Sequence, residues 1–194
     1  PLHSSAASDV YKRQYDSYDP VIRLQGAVPV HVSLMAPAYR IDWDRIEAAI
    51  TANTRLLILN SPHNPTGMVM DESDIAALSA LCAKYDIYLI CDEVYEHMVF
   101  DQAKHLSLCG YAELYARSFV ISSFGKTYHV TGWKVGYCVA PPALTKELRR
   151  LHQYVTFTVN TPVQLGIADF LQQHPEHHQQ LPAFYPVSYT HLTL

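Results

Sequence analysis

One lysine, Lys126, lies in a segment whose residue types suit covalent chemistry with a carbonyl compound. It follows the apolar run Phe119-Val120-Ile121 and is surrounded by small and hydroxyl-bearing residues between Ser122 and Thr131. A lysine that leaves a buried strand into such a turn is poorly solvated, which disfavours the ammonium form and makes the amine nucleophilic. Schiff-base chemistry requires an amine of this kind. Because a lysine in an ordinary surface loop would look the same locally, the rest of the chain has to decide between the two interpretations.

Polar residues also follow two other apolar runs of strand length. In open α/β sheets, ligands bind outside the carboxyl ends of the strands, where such residues would meet. The candidates are Asn64 after the run at residues 55–60, Asp92 and Tyr95 after the run at 88–91, and Ser123 and Lys126 after the run at 119–121. Each position alone has a structural explanation, because an Asn-Pro-Thr-Gly segment forms a turn, an aspartate caps a helix and a tyrosine packs in a core. Their joint occurrence in this order indicates a single binding site.

The secondary-structure patterns predict an α/β fold with a mostly parallel sheet and helices on both faces. Continuous apolar runs, typical of strands covered on both sides, lie at residues 55–60, 88–91, 118–123 and 135–140. Helical periodicity occurs at residues 42–50, 71–84, 144–157 and 162–173. A turn-rich start at 15–20 precedes an alternating segment at 28–34, which predicts a further strand with Pro29 at its edge or start. Strands that alternate with helices indicate parallel pairing.

The composition fits one substantial domain and gives no reason to expect nucleic acid or membrane as a partner. The chain has 194 residues, of which 49% are hydrophobic and 16% charged, a net charge of −4, and no apolar run of membrane-spanning length. Its four cysteines lack Cys-x-x-Cys spacing, so neither a disulfide nor a zinc site is predicted and a reducing, cytoplasmic setting is the simplest interpretation. We interpret His174, His177 and His178 as a polar loop after a helix rather than as metal ligands.

Together these motifs resemble the fold-type I, pyridoxal-phosphate-dependent aminotransferases of class I/II. The matching segments are Asn64-Pro65-Thr66-Gly67, Asp92-Glu93-Val94-Tyr95, Ser122-Ser123-Phe124-Gly125-Lys126 and Gly132-Trp133-Lys134-Val135-Gly136. Within that family the chain is similar to the methionine and kynurenine/glutamine aminotransferase branch. The residues that carry this second likeness are His63, the segment at 125–137, His152-Gln153-Tyr154 and Asn160-Thr161-Pro162. The resemblance extends over residues 15–185.

The resemblance implies roles for the residues that would act on the reactive part of the cofactor. Lys126 would form a Schiff base with the cofactor aldehyde and, once freed by the substrate, would move the proton between the substrate Cα and the cofactor C4′. Asp92 would pair with the pyridine nitrogen and keep it protonated, so that the ring accepts electrons. Asn64 and Tyr95 would donate hydrogen bonds to the ring 3-oxygen and stabilise its phenolate form.

The resemblance also implies how the rest of the cofactor is held. Ser123 and Lys134 would bind the phosphate, with the lysine acting as a point charge. Many relatives carry arginine at the position of Lys134, and lysine is common in the kynurenine branch. Tyr15 falls where the family places an aromatic side chain that stacks on the cofactor ring.

The function that the resemblance implies is transfer of an amino group from a neutral, methionine-like or aromatic L-amino acid to a 2-oxo acid, by a protein that is a homodimer when full length. Two alternatives remain open on the same residues. One is a β-lyase acting on cystathionine or cysteine conjugates, and the other is the aminotransferase-like sensor domain of a transcription regulator. The family's upstream phosphate-binding turn and its C-terminal small domain lie outside this sequence, so we expect the 194-residue chain alone to be inactive.

Both ends of the chain look foreign to the segment between them. Residues 1–14 and 186–194 show no periodicity continuous with their neighbours and resemble translated adapter tails. We therefore expect a foreign tail at 1–14, part of the cofactor-binding large domain of an aminotransferase at 15–185, and a second foreign tail at 186–194.

Overall fold

A computed structural model describes residues 15–190, with side chains described from 15 to 185. The foreign tail expected at residues 1–14 lies outside the described residues, as do the last four residues of the tail expected at 186–194. Residues 186–190 continue the backbone of the final helix.

The fold is built on a four-stranded sheet whose strands lie side by side in chain order. The strands are β1 (Leu56–Asn60), β2 (Tyr88–Asp92), β3 (Ser118–Ser123) and β4 (Gly136–Val139). β1, β2 and β3 pair in parallel, and β4 pairs antiparallel with β3. The predicted mostly parallel α/β fold is therefore confirmed, and each predicted buried run became a strand.

Helices connect the strands and extend the chain beyond β4. They are α1 (Tyr18–Leu24), α2 (Trp43–Ala49), α3 (Glu72–Tyr85), α4 (Ala112–Tyr115), α5 (Phe124–Thr127), α6 (Pro142–Val155), α7 (Thr161–Gln173) and α8 (His177–Thr190). Two 3-10 turns lie at Leu108–Gly110 and Thr131–Trp133. Within the described residues, no helix combines the length and the apolarity needed to cross a membrane.

The core lies where α3 packs against the middle of the sheet. The buried apolar positions of α3 fall on one helical face, as the sequence predicts, and are Ile75, Leu78, Leu81 and Cys82. Leu89 and Cys91 of β2 are completely buried against them. Burial of a leucine side chain contributes about 1.5–3 kcal/mol. Because β2 is packed at the centre of this core, the residues at its carboxyl end are held in a fixed position by the strand.

The predicted strand at residues 28–34 is wrong, because that segment pairs with no strand in the described part of the chain. Val32 is half-buried and packs against the core, while Val28 and Val30 stay exposed. The alternation therefore reflects contact on one side only. Pro29 lacks the N–H group that a ladder would use.

The turn-rich start predicted at residues 15–20 is partly wrong as well, because α1 begins at Tyr18. Pro20 lies in the first turn of that helix, where a missing N–H group is tolerated. Asp19 forms an ion pair with Arg23 one turn later, which supports the helix locally.

Candidate functional site

The carboxyl ends of β1 and β2 are tied together by the side chain of Asn60. Its Nδ2 group donates to the carbonyl oxygen of Asp92 at 2.9 Å, and its Oδ1 accepts from the backbone N–H of Asn64 at 2.9 Å. The loop after β1 is thereby fixed to the end of its neighbouring strand. The sequence predicted Asn64 and missed Asn60, which is the residue that positions it.

Asn64 and Tyr95 come together across the two loops, as the sequence predicts. The Nδ2 group of Asn64 donates to the hydroxyl oxygen of Tyr95 at 3.4 Å. Because that hydroxyl accepts from Asn64, its own proton remains available for a further acceptor. The pair can therefore present two donors, the second amide hydrogen and the phenol, to one ligand oxygen.

Asp92 ends β2 with its carboxylate held at both oxygens. Oδ1 accepts from the backbone N–H of Val94 at 3.1 Å, and Oδ2 accepts from the hydroxyl of Tyr18. The following residue, Glu93, points to the opposite face of the chain, since successive side chains alternate. Asp92 is half-buried and Glu93 is completely buried. One carboxylate is thus accessible to a ligand and its neighbour is not.

Glu93 has a structural role beneath the site. Its Oε1 accepts from the backbone N–H of Leu108 at 3.0 Å, and its Oε2 accepts from Nε2 of His105 at 2.9 Å. These bonds anchor the end of β2 to His105 and to the 3-10 turn at Leu108–Gly110, later in the same connection. A buried carboxylate requires such partners, because burying it without them is costly.

Lys126 lies in α5, a single helical turn that begins directly after β3. Ser123 caps this turn by accepting from the N–H of Gly125 at 3.0 Å. The carbonyl of Gly125 in turn accepts from Oγ1 of Thr131 at 3.1 Å, which closes the segment after the lysine. The half-buried Lys126 places its Nζ 6.0 Å from the centre of the Tyr95 ring. Lys126, Tyr95 and Asn64 therefore meet at one edge of the sheet.

The remaining predicted site residues are Ser123, Lys134 and Tyr15, whose side chains are either exposed or hydrogen-bonded locally. The hydroxyl of Ser123 forms two local hydrogen bonds: it caps α5 and it donates to the carbonyl of Val135 at 3.3 Å. Lys134 is exposed and has a left-handed backbone with φ of 54°. Tyr15 is also exposed and contacts the ring of Tyr18 edge-on, with 5.6 Å between centroids. The roles of these residues stay predictions.

A polar cluster centred on Glu96 supports the ends of β3 and β4, and the sequence analysis missed it. Oε1 of Glu96 accepts from the hydroxyls of Ser122 at 2.6 Å and Tyr137 at 2.5 Å. Burial and this carboxylate raise the pKa of Tyr137 to about 12, so its hydroxyl remains a donor at neutral pH. Glu96 directly follows the Asp92–Tyr95 motif, and that adjacency is the signal that could have identified it.

The interpretation of three histidines as a polar loop holds for His174 and is wrong for His177 and His178, which begin α8. Nε2 of His177 donates to the carbonyl of Thr127 at 3.0 Å, and its ring stacks on Tyr128 at 5.2 Å. His177 thus braces the turn that carries Lys126. Among the described residues, no group of three or more His, Cys, Asp or Glu side chains is arranged to hold a metal ion.

The close approach of β4 to β3 behind this turn leads to a stability prediction. A Cβ atom on Gly136 would lie 2.7 Å from the carbonyl oxygen of Ser122, whereas one on Gly132 would meet nothing within 4 Å. We expect Gly136→Ala to lower the free energy of unfolding by about 1–3 kcal/mol, because backbone would have to move. Urea unfolding measures this, with Gly132→Ala as the matched control, expected to change stability by less than about 1 kcal/mol. Equal stability of the two variants would contradict the packing argument.

Comparison with known proteins identifies relatives for nearly the whole described chain. The family model for "Aminotransferase class I and II" matches residues 10–185. The methionine aminotransferase of Escherichia coli (strain K12) is 50% identical over 171 residues, which are 88% of this chain and 44% of that protein. Human kynurenine–oxoglutarate transaminase 3 is 37% identical over 164 residues, covering 79% of this chain and 36% of that protein.

Solved structures that superpose on this chain are also those of aminotransferases. The crystal structure of YbdL from Escherichia coli, reported to have a methionine aminotransferase function, superposes with a TM-score of 0.89 at 48% identity. The match covers 92% of this chain and 47% of that one. The N-succinyldiaminopimelate aminotransferase of Mycobacterium tuberculosis gives a TM-score of 0.83 at 36% identity, covering 89% and 46% of the two chains. The chain therefore spans less than half the length of these relatives.

Proposed function

The chain belongs to the class I and II aminotransferases, and on that basis we propose that it is the cofactor-binding part of an enzyme that transfers an amino group from a neutral L-amino acid to a 2-oxo acid. Members of this family use pyridoxal phosphate. The observation that carries the proposal is the convergence of Lys126, Tyr95 and Asn64 at the sheet edge where β2 ends in Asp92. Ligands bind at this edge in open α/β sheets.

The residues at this edge fit pyridoxal phosphate in chemical type. An amine matches its aldehyde, a carboxylate matches its ring nitrogen, and an amide with a phenol matches its ring oxygen. Each oxygen of Asp92 accepts one hydrogen bond from the protein and retains a second lone pair for a ring N–H group. The phenol proton of Tyr95 is likewise available, because Asn64 already donates to that oxygen.

When bound, pyridoxal phosphate supplies an aldehyde that reacts with amines and a protonated ring that draws electrons from the substrate Cα. Lys126 holds and moves a proton at Nζ, for which its half-buried position and short, capped helix provide a fixed starting point. Asp92 retains the proton on the ring nitrogen by accepting its hydrogen bond. Tyr95 and Asn64 orient the ring by donating to its oxygen.

Phosphate binding is assigned to Ser123 and Lys134, and ring stacking to Tyr15. Lys134 is exposed and can move its ammonium group toward an anion. The edge-on contact of Tyr15 with Tyr18 supports a fixed position for the stacking ring.

The likeness to methionine and kynurenine transaminases supports a methionine-like or aromatic amino donor. We also propose that the intact protein is a homodimer in the cytoplasm. Family members build the active site across two subunits, and the four free cysteines suit a reducing compartment.

The test is a donor panel with the purified intact protein that contains this chain. Methionine, glutamine, kynurenine and phenylalanine are each supplied with a 2-oxo acid and pyridoxal phosphate, and the new amino acid is quantified. We expect transfer from methionine or an aromatic donor. Absence of transfer from every donor would reject the proposal, and release of pyruvate from cystathionine without a 2-oxo acid would replace it with β-elimination.

A further inference from the structure

Tyr18 links α1 to the functional edge of the sheet. It is the first residue of a helix in which no residue is buried, yet its hydroxyl donates to Oδ2 of Asp92, 74 residues away in the sequence. The other side-chain hydrogen bonds of α1 in the described part of the chain join Asp19 to Arg23 and His31. The bond to Asp92 therefore serves the carboxylate rather than the general packing of the helix.

The hydroxyl of Tyr18 acts as a permanent donor. Burial, followed by the hydrogen bond to Asp92, raises the pKa of Tyr18 well above its usual range. The phenol therefore keeps its proton at neutral pH and remains a donor to Asp92. A charge-assisted bond from a hydroxyl to a carboxylate is also stronger than a neutral one.

Two donors, one on each oxygen, fix the plane of the Asp92 carboxylate. The torsion that rotates a carboxylate is intrinsically broad, so its side chain alone does not set that plane. The N–H of Val94 holds Oδ1 and the hydroxyl of Tyr18 holds Oδ2. Removing the tyrosine donor would leave the carboxylate held on one side only.

Tyr18 also contacts the other ring-binding group. Its ring meets that of Tyr15 at an interplanar angle of 73°, the edge-on arrangement that aromatic pairs favour. One side chain thus contacts the carboxylate assigned to the ring nitrogen and the aromatic ring assigned to stacking. Both groups would shift if Tyr18 were lost.

We infer that Tyr18 is a positioning residue that holds the Asp92 carboxylate, and with it the Tyr15 ring, in the orientation that receives the cofactor ring. This inference rests on the proposed function. Tyr18 would act through its two neighbours, the Asp92 carboxylate and the Tyr15 ring.

The test compares Tyr18→Phe with Tyr85→Phe in the intact protein. Tyr85 is a matched control, because its hydroxyl also donates to a carboxylate, Oε1 of Glu47 at 2.9 Å, in a different part of the fold. We expect Tyr18→Phe to raise the equilibrium dissociation constant of pyridoxal phosphate about tenfold, because a hydrogen bond to a charged group is lost. Tyr85→Phe should bind the cofactor as the unchanged protein does.

Two further readouts separate positioning from simple loss of structure. Pyridoxal phosphate isotope-labelled at its ring nitrogen reports protonation of that nitrogen by NMR, and the pH midpoint of the cofactor's visible absorbance reports its electronic state. Tyr18→Phe should change both, and Tyr85→Phe neither. Unchanged affinity, ring-nitrogen signal and pH midpoint in Tyr18→Phe would overturn the inference.

A double-mutant cycle tests whether the effect passes through Asp92. In an Asp92→Asn background, Tyr18→Phe should cost less than about twofold in cofactor affinity, because the charged acceptor that Tyr18 orients has gone. A full, additive tenfold loss in that background would overturn the inference while leaving the proposed function intact. If the unchanged protein failed to bind pyridoxal phosphate, both the proposed function and the role of Tyr18 would be overturned. That result comes from the unchanged protein alone, so it is distinguishable from an effect of the variants.

Discussion

Lys126→Ala is expected to abolish amino transfer in the intact protein, lowering kcat by a factor of about 10⁴ or more. A positioned acid–base group alone contributes about 10²–10⁴, and the nucleophilic amine is lost as well. The amine lies 6.0 Å from the Tyr95 ring centre on a turn capped by Ser123, so its removal leaves the turn itself intact. The measurement is single-turnover transfer with a saturating donor, together with the visible absorbance of the bound cofactor.

Two variants show whether the amine or merely the positive charge is needed. Lys126→Arg keeps a cation that cannot act as a nucleophile or give up its proton, so we expect it to be as inactive as Lys126→Ala. Lys84→Ala is the control, because it removes an exposed ammonium that pairs with Glu47. Its kcat should stay within about twofold of that of the unchanged protein. Substantial turnover by Lys126→Arg would contradict a covalent role for this lysine.

Much of the site could be predicted because its residues follow strands that the sequence marks clearly. β2 and β3 are continuous apolar runs, so the positions directly after them fall at the carboxyl edge of a parallel sheet. That reasoning placed Asp92 and Lys126 at a common edge without any knowledge of contacts. The meeting of Tyr95 with Asn64 follows from the same topology.

The supporting residues could not be predicted in this way, because they act across long separations in sequence. Tyr18 reaches Asp92 over 74 residues, and Tyr137 reaches Glu96 over 41. Local periodicity carries no information about such pairings. The contact of His177 was missed for the same reason, since its Nε2 donates to the carbonyl of Thr127, 50 residues earlier.

The error at residues 28–34 has a related cause. Alternation of apolar residues shows that one side of a segment faces a core, and Val32 does pack there. A strand additionally needs a partner for its backbone, and nothing in the pattern supplies one. Burial pattern and ladder formation are separate properties, and the sequence reports the first far more directly than the second.

Asp92→Asn is expected to lower kcat by about 10²–10³ while leaving the fold intact. Replacing a carboxylate with an amide removes the charge that would hold a proton on the ring nitrogen, an electrostatic contribution of the size that single preorganised groups make in active sites. Asn keeps the size of the side chain and an oxygen that accepts from Val94. Cofactor absorbance, ring-nitrogen NMR and kcat measure the effect, and circular dichroism checks the fold.

The adjacent carboxylate gives the sharpest contrast, because Glu93 points to the buried side of the same strand end. Glu93→Gln weakens its bond to His105 and should lower the free energy of unfolding by about 1–3 kcal/mol. Its kcat, expressed per folded molecule, should stay within about threefold of the unchanged protein, since the loss is one of stability. Asp92→Asn should show the reverse, with kcat lost and stability nearly kept. If the two variants exchanged these effects, the assignment of the outward carboxylate to the cofactor would be wrong.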